Sequence, residues 1–294
     1  VRVPRPEHRR GWARYLDALR AYVQTREFLG LALVVILLLG ASMRFTGINW
    51  DEQTHLHPDE RFLTDVETKL GWPQSLAEYF NEATSPLNPH NRDVGMFVYG
   101  TLPMFIVKAV GILLDQNSYW QIHLVGRVVS GVYDLAVVAL VFFLGRRLYG
   151  RWVGLLASFL MACTVLSIQH AHFFTVETFT TLLVTLAFYF TIRAVQDGRW
   201  TDWALTGATF GMAVAGKISV GTYVLIICMA ALLRAQREPA PLVVAADGAP
   251  ALWRRRLGGL SISLQMSGDA EATTRRAAFL RGLTRAAAGL VLAG

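Results

Sequence analysis

Phe28-Leu-Gly-Leu-Ala-Leu-Val-Val-Ile-Leu-Leu-Leu-Gly-Ala-Ser-Met-Arg-Phe-Thr-Gly-Ile48 decides the class of fold. Roughly 20 helical residues span the hydrocarbon core of a bilayer, and this run has that length. Shortly beyond it comes His57-Pro58-Asp59-Glu60. Two carboxylates just outside a membrane helix, in a chain with several more such helices, point to chemistry at the water–lipid boundary. The composition agrees. Of 294 residues, 53% are hydrophobic and the mean hydropathy is +0.38, too apolar for an ordinary soluble domain and typical of a polytopic membrane protein.

The formal charge of +7 raises the question of nucleic acid, and its distribution answers it. Basic residues gather at helix ends: Arg9, Arg10, Arg14, Arg20 and Arg26, then Arg146, Arg147 and Arg151, then Arg234 and Arg237. This is the cytoplasmic-loop bias of membrane proteins, without a basic–aromatic nucleic-acid surface. Cys163 and Cys228 lie inside apolar runs, which favours buried packing over a disulfide. The first apolar run is too long for a signal peptide and reads as a retained anchor. Before it, residues 1–27 form a cytoplasmic amphipathic N-terminus, with Trp12, Leu16, Leu19 and Val23 at helical spacing opposite a basic face.

Residues 28–233 are the membrane-embedded region, with an acid-rich outer loop at 49–123. Within that loop Met96 to Leu114 is apolar enough to resemble a span. The charge rule decides against it, because the span Leu124 to Leu144 ends in Arg146-Arg147-Leu148-Tyr149-Gly150-Arg151, which belongs in the cytoplasm. Gly100, Pro103, Lys108 and Gly111 fit a helix lying on the outer surface. Trp152 to Ile168 then returns outward and Val176 to Val195 goes back in. Trp203 to Leu233 is too long for one untilted span at about 1.5 Å per residue. With Arg199 before it and Arg234 after it, it reads as a hairpin turning near Gly216-Lys217. Residues 234–285 read as a long cytoplasmic loop, partly disordered, and 286–294 as the start of a span, so the chain is expected to be the N-terminal part of a longer protein.

Several side chains carry candidate chemistry, each beside a plainer reading. Pro58 suits a first helical position and Asp59 and Glu60 complement the helix dipole, so capping alone explains them; alternatively one carboxylate projects into a site as base or cation ligand. Glu177 stands at the start of an apolar helix, where an acid is costly and usually functional. His170 and His172 either bind a divalent metal with Glu177 or are interfacial residues. Lys217 either snorkels to headgroups or holds an anionic lipid phosphate. Arg127 and Asp134, seven apart, share a helix face; Arg127 can serve the outer site, and packing suffices for Asp134.

These pieces occur in a familiar order. An acidic pair follows the first span, and an outer surface helix precedes an Arg at the start of the second. Leu-Gly-Arg-Arg-Leu-Tyr-Gly at 144–150 closes that span, His-Phe-Phe-Thr-Val-Glu at 172–177 opens the fourth, and Gly-Met-Ala-Val-Ala-Gly-Lys at 211–217 turns the hairpin. Residues 25 to 235 thus resemble the N-terminal half of a GT-C-type, lipid-carrier-dependent glycosyltransferase, in the group of protein mannosyltransferases and lipid A aminoarabinose transferases. The resemblance implies an all-α polytopic helical bundle with surface helices on its outer loop. It also implies transfer of a sugar from a polyprenyl-phosphate donor to a lipid, glycan or protein acceptor at the outer face of the plasma or inner membrane, with the N-terminus cytoplasmic. Asp59 matches the catalytic acidic position and Glu60 accompanies it. Glu177 falls where the family commonly has Asp, and Lys217 matches a basic residue near the carrier phosphate, with Arg61 and Arg127 as further candidates for that work. A lipid-linked donor needs no nucleotide-binding loop, and none is visible.

The competing readings are a transporter or flippase, which would call for inverted repeats and midplane charges that the sequence does not display, and an inactive truncated membrane fragment.

Overall fold

The computed structural model describes residues 8–237, 253–257 and 260–264. The chain forms two units, Val1–Leu182 and Leu183–Gly294. In the first, α1 (His8–Val23) exposes Trp12, Tyr15, Leu16, Leu19 and Tyr22, as a helix on a membrane surface would. Thr25 then accepts a hydrogen bond from the Phe28 amide and starts α2 (Arg26–Phe45), in which only Gly40 and Arg44 are buried. The longest element is α6 (Tyr119–Tyr149), with 31 residues. It reverses at Gly150, whose φ of 100° favours glycine, into α7 (Arg151–Ala162) and α8 (Val165–Ala171). Close packing of α6 on α7 needs Gly145 and Gly154: a Cβ on Gly145 would stand 2.8 Å from the Gly154 Cα.

By length and composition, α2, α6, α9 (Glu177–Asp197) and Ile218–Gln236 can each cross a bilayer, and α7 with α8, bent by 58° at their break, are together long and apolar enough for a broken span or a re-entrant loop. The protein is a multi-pass membrane protein built from helices. The sequence shows 152–168 as one continuous run, whereas the structure breaks it at Cys163–Thr164. A break inside a membrane frees backbone carbonyls that must find donors. Arg44 supplies them: Nη1 donates to the Ala162 carbonyl at 2.9 Å and Nη2 to that of Met161 at 3.3 Å. The charge this brings in is met by Asp134, 2.6 Å from Arg44 Nε, which also accepts from the Ser167 hydroxyl at 2.6 Å. Asp134 therefore has the packing role expected of it.

The loop between α2 and α6 is folded. It contains α3 (Pro58–Lys69), α4 (Leu76–Phe80), a 3-10 turn at Pro89–Arg92 and α5 (Leu102–Leu113). At 12 residues α5 is about 18 Å long, well short of a bilayer core, in keeping with a surface helix. Leu63 and Val66 of α3, Leu70 at its C-cap, Val94, and Met104 and Val107 of α5 form one core with Ile122, Val125, Phe174 and Val176. The loop is thus packed onto the first turns of α6 and the segment leading into α9.

In the second unit, α10 (Trp200–Val214) is followed by Ala215-Gly216-Lys217, a 3-10 helix over Ile218–Tyr223, and α11 (Val224–Arg237). The turn falls where the sequence places it. Trp203, Phe210, Tyr223 and Ile227 pack with Ala187, Ala194, Ala230 and Ala231. Within the segment read as a cytoplasmic loop, β1 (Trp253–Leu257) pairs antiparallel with β2 (Leu260–Leu264), Trp253 opposite Leu264. The rest of 234–285 beyond α11, and the span expected to open at 286–294, lie outside the described residues.

Candidate functional site

The site is built on α3. His57 caps the helix, its Nδ1 accepting from the Glu60 amide at 3.3 Å, and Pro58 occupies the first position. Capping is therefore real, but it does not exhaust the two acids. Successive helical residues are rotated by about 100°, so Glu60 turns into the protein while Asp59 stays exposed.

Glu60 is fully buried against Arg127 of α6. Arg127 Nε donates to Glu60 Oε1 at 2.7 Å and Nη2 to Oε2 at 2.6 Å. The same guanidinium grips Asp51 from its other edge, Nη1 to Oδ1 and Nη2 to Oδ2, both at 2.9 Å, and Nη1 reaches the Ile48 carbonyl at 2.8 Å. All five guanidinium N–H groups are thereby used. The Phe174 amide adds a 2.9 Å bond to Glu60 Oε1 and ties the start of α9 to the cluster. That contact depends on Gly126, since a Cβ there would collide with the Phe174 ring. Trp50 covers the guanidinium, its ring centroid 5.5 Å from the Arg127 Cζ. Burial alone would raise the Asp51 carboxyl, but the hydrogen bonds and charge of Arg127 outweigh it and hold the group at about 2. Two carboxylates share one guanidinium, so the cluster keeps a net negative charge.

Two histidines flank it. His55 and His123 meet with ring centroids 4.3 Å apart, and His55 also packs on Tyr119. Burial pushes the His55 imidazole down, against the opposing charges of Glu60 and Asp51. Among the described residues no ring nitrogen of either histidine has a hydrogen-bond partner.

Asp59 stays outside this cluster, exposed, and its charge is felt by the Tyr99 phenol. Burial first, then Asp59, then the charge of Glu177 push the Tyr99 phenol up. Asp59, Tyr99 and Glu177 thus belong to one neighbourhood, with Glu177 half-buried as the first residue of α9. Arg61 is exposed on the same helix as Asp59. Lys217 belongs to the second unit, half-buried, at the extended residue that precedes the 3-10 helix.

The structure does not assemble the expected metal pair. His170 and His172 stand at the end of α8, where residues two apart point to different sides of a helix. His172 is moreover engaged at both nitrogens, Nδ1 2.8 Å from the Ile168 carbonyl and Nε2 3.0 Å from that of Thr46. Among the described residues no three His, Cys, Asp or Glu side chains are grouped as a metal would require. Sequence reasoning passed over Arg44, Asp51, Tyr99 and the histidine pair. Arg44, the one charge inside the first apolar run, and Asp51, directly beyond that run, were the available signals.

Compared with known proteins, residues 101–246 match the family model described as dolichyl-phosphate-mannose-protein mannosyltransferase. The match takes in Arg127, Glu177 and Lys217 and begins after Asp59 and Glu60. No curated protein and no solved structure matches the chain.

Proposed function

We propose, for a chain whose residues 101–246 belong to the dolichyl-phosphate-mannose-protein mannosyltransferase family and which is therefore a membrane glycosyltransferase, that Asp59 is the base of the transfer. The family description supplies the donor class, a polyprenyl-phosphate-linked mannose. Against it, the transporter reading gives way. The acceptor hydroxyl, of a lipid, glycan or protein, loses its proton to the Asp59 carboxylate while its oxygen attacks the anomeric carbon. The bond from that carbon to the phosphate oxygen breaks, and the carrier phosphate leaves with the electron pair. Arg61, on the helix that carries Asp59, is assigned to the negative charge that collects on it. Reaction takes place at the outer face of the membrane, the side of the 49–123 loop.

One observation carries this reading: of two adjacent acids, Glu60 is locked under Arg127 while Asp59 is left exposed. Glu60, Asp51 and Arg127 then serve as a platform, fixing α3 against α6 and α9 so that Asp59 is presented in one register. Arg127, expected as a phosphate ligand, has every donor committed to that platform, and we assign it there instead.

The test is turnover of polyprenyl-phosphate mannose by the membrane-reconstituted full chain. Asp59→Asn should lower kcat by about 10²- to 10⁴-fold with unchanged expression and thermal stability. Equal turnover by the variant would refute Asp59 as the base.

A further inference from the structure

We propose that residues 49–56 form a strained latch, held shut by the His55 ring seated among side chains of α6 and opened by acid.

The strain is in the backbone. Glu52, Gln53 and His55 have φ of 49°, 68° and 50°. None is glycine, and in the left-handed region a side chain crowds its own backbone, so three such residues in four persist only where their surroundings hold them. Part of the hold is local. The Gln53 amide donates to Asn49 Oδ1 at 3.2 Å, and the Thr54 hydroxyl and amide both donate to the Asp51 carbonyl, at 2.6 and 3.0 Å. Side chains add little, since Glu52, Gln53, Thr54 and Leu56 are all exposed. Among residues 52–56 His55 alone is buried. Its ring centroid lies 4.5 Å from that of Tyr119, 5.9 Å from Trp120 and 4.3 Å from His123, all at the start of α6.

Packing, not polar bonding, seats the ring. A neutral imidazole carries one N–H, and a charged one carries two. Among the described residues neither His55 nitrogen has a hydrogen-bond partner, so the second N–H meets no acceptor while the latch is shut. In the open segment water supplies one. The charged groups facing His55 are Glu60 and Asp51, which favour its protonation, and Arg127 and Arg61, which oppose it. Both carboxylates are already hydrogen-bonded to Arg127. His123 and Tyr119 are the titratable groups in ring contact with it. Burial outweighs the acids and holds the His55 imidazole below its ordinary value of about 6.5. The shut latch is therefore fully favoured above that value and weakens as pH falls below it, by up to about tenfold per pH unit for one proton. Residue 56 leads directly into His57, the cap of α3, so opening also unfastens the start of the helix that presents Asp59.

Hydrogen–deuterium exchange of the full chain in membranes reads the latch at the Glu52, Gln53 and Thr54 amides, each hydrogen-bonded when it is shut. Rates are divided by the chemical exchange rate at each pH. From about pH 7.5 to about pH 5 their protection should fall about tenfold or more, while the middle of α6 stays protected. His55→Phe keeps a ring without a titratable nitrogen and should hold the same protection at both pH values. Equal protection of the wild-type amides at the two pH values overturns the proposal. So does a fall that survives in His55→Phe, which would belong to His57 or His123. The wild-type comparison needs no variant, and His55→Gln, uncharged at either pH, serves if His55→Phe does not fold: its protection should be independent of pH. Exchange is blind to turnover, so failure here leaves the role of Asp59 as it stands.

Discussion

Asp59 and Glu60 differ by one methylene in chemistry and by about 100° in direction, and the second difference decides what each can do. Buried acids in the same helix need not be paired, however. Glu67, two turns further on, is fully buried with neither carboxylate oxygen hydrogen-bonded, and the nearby Lys108 ammonium donates instead to the Glu67 backbone carbonyl at 3.1 Å. Burial raises the Glu67 carboxyl to about 8, against the opposing charge of Lys108. Lys108 is itself pushed down by burial, with Glu67 opposing. The folded protein thus holds a proton on Glu67 that the unfolded chain has released above a pH of about 4.5. Its contribution is complete below that value and is lost as pH rises through about 8, at up to about 1.4 kcal/mol per pH unit. Glu67→Gln removes this slope. Thermal unfolding of the variant should gain on wild type steadily across that window, and curves that run parallel through it would show that Glu67 is not protonated in the fold. None of this is legible in the sequence, where Glu67 is one more acid in a loop with ten of them.

At the scale of elements, apolar run length reveals the spans, and the structure departs from it where a local feature has no sequence signature. The third span breaks at Cys163–Thr164 without a proline or glycine to announce it. Its donor is Arg44, far away in the chain on α2, a relation that hydropathy cannot express. The short hairpin over 253–264 is a different case. Leu260-Ser261-Ile262-Ser263-Leu264 alternates with period two, a strand signal, but the composition of 234–285 averages over it. The broken span offers the sharper test. Arg44→Met strands the buried Asp134 carboxylate and should cost about 3–5 kcal/mol. Arg44→Met combined with Asp134→Leu removes both charges together. It should be less destabilised than the sum of the two single variants by at least about 1 kcal/mol, read from thermal unfolding in detergent. Strict additivity would mean that the ion pair is not what closes the break.

At the scale of the whole molecule the open quantity is the number of crossings. Arginine placement calls for α10 to cross, yet its 15 residues make only about 22 Å, and it is not among the helices long and apolar enough to span. Contacts within the second unit bear on this. Arg234, near the end of α11, donates to the Val195 carbonyl at 3.3 Å, and its guanidinium occupies the space a side chain on Gly198 would need. Arg193 pairs with Asp202 at 2.9 Å. The end of α9, the beginning of α10 and the end of α11 therefore meet on one side. If Ile218–Gln236 spans the bilayer, residue 218 is on the other side, and α10 with Ala215-Gly216-Lys217 has to carry the chain there. The short helix is completed by an extended Lys217 rather than by more turns. In a Cys163→Ala/Cys228→Ala background, cysteines at the exposed positions Thr201, Ser219 and Gln236 report the outcome. A membrane-impermeant maleimide should label 219 from one face only, and 201 and 236 only from the opposite face. Labelling of 201 and 219 from the same side would mean that neither α10 nor Ile218–Gln236 crosses, and would leave four crossings.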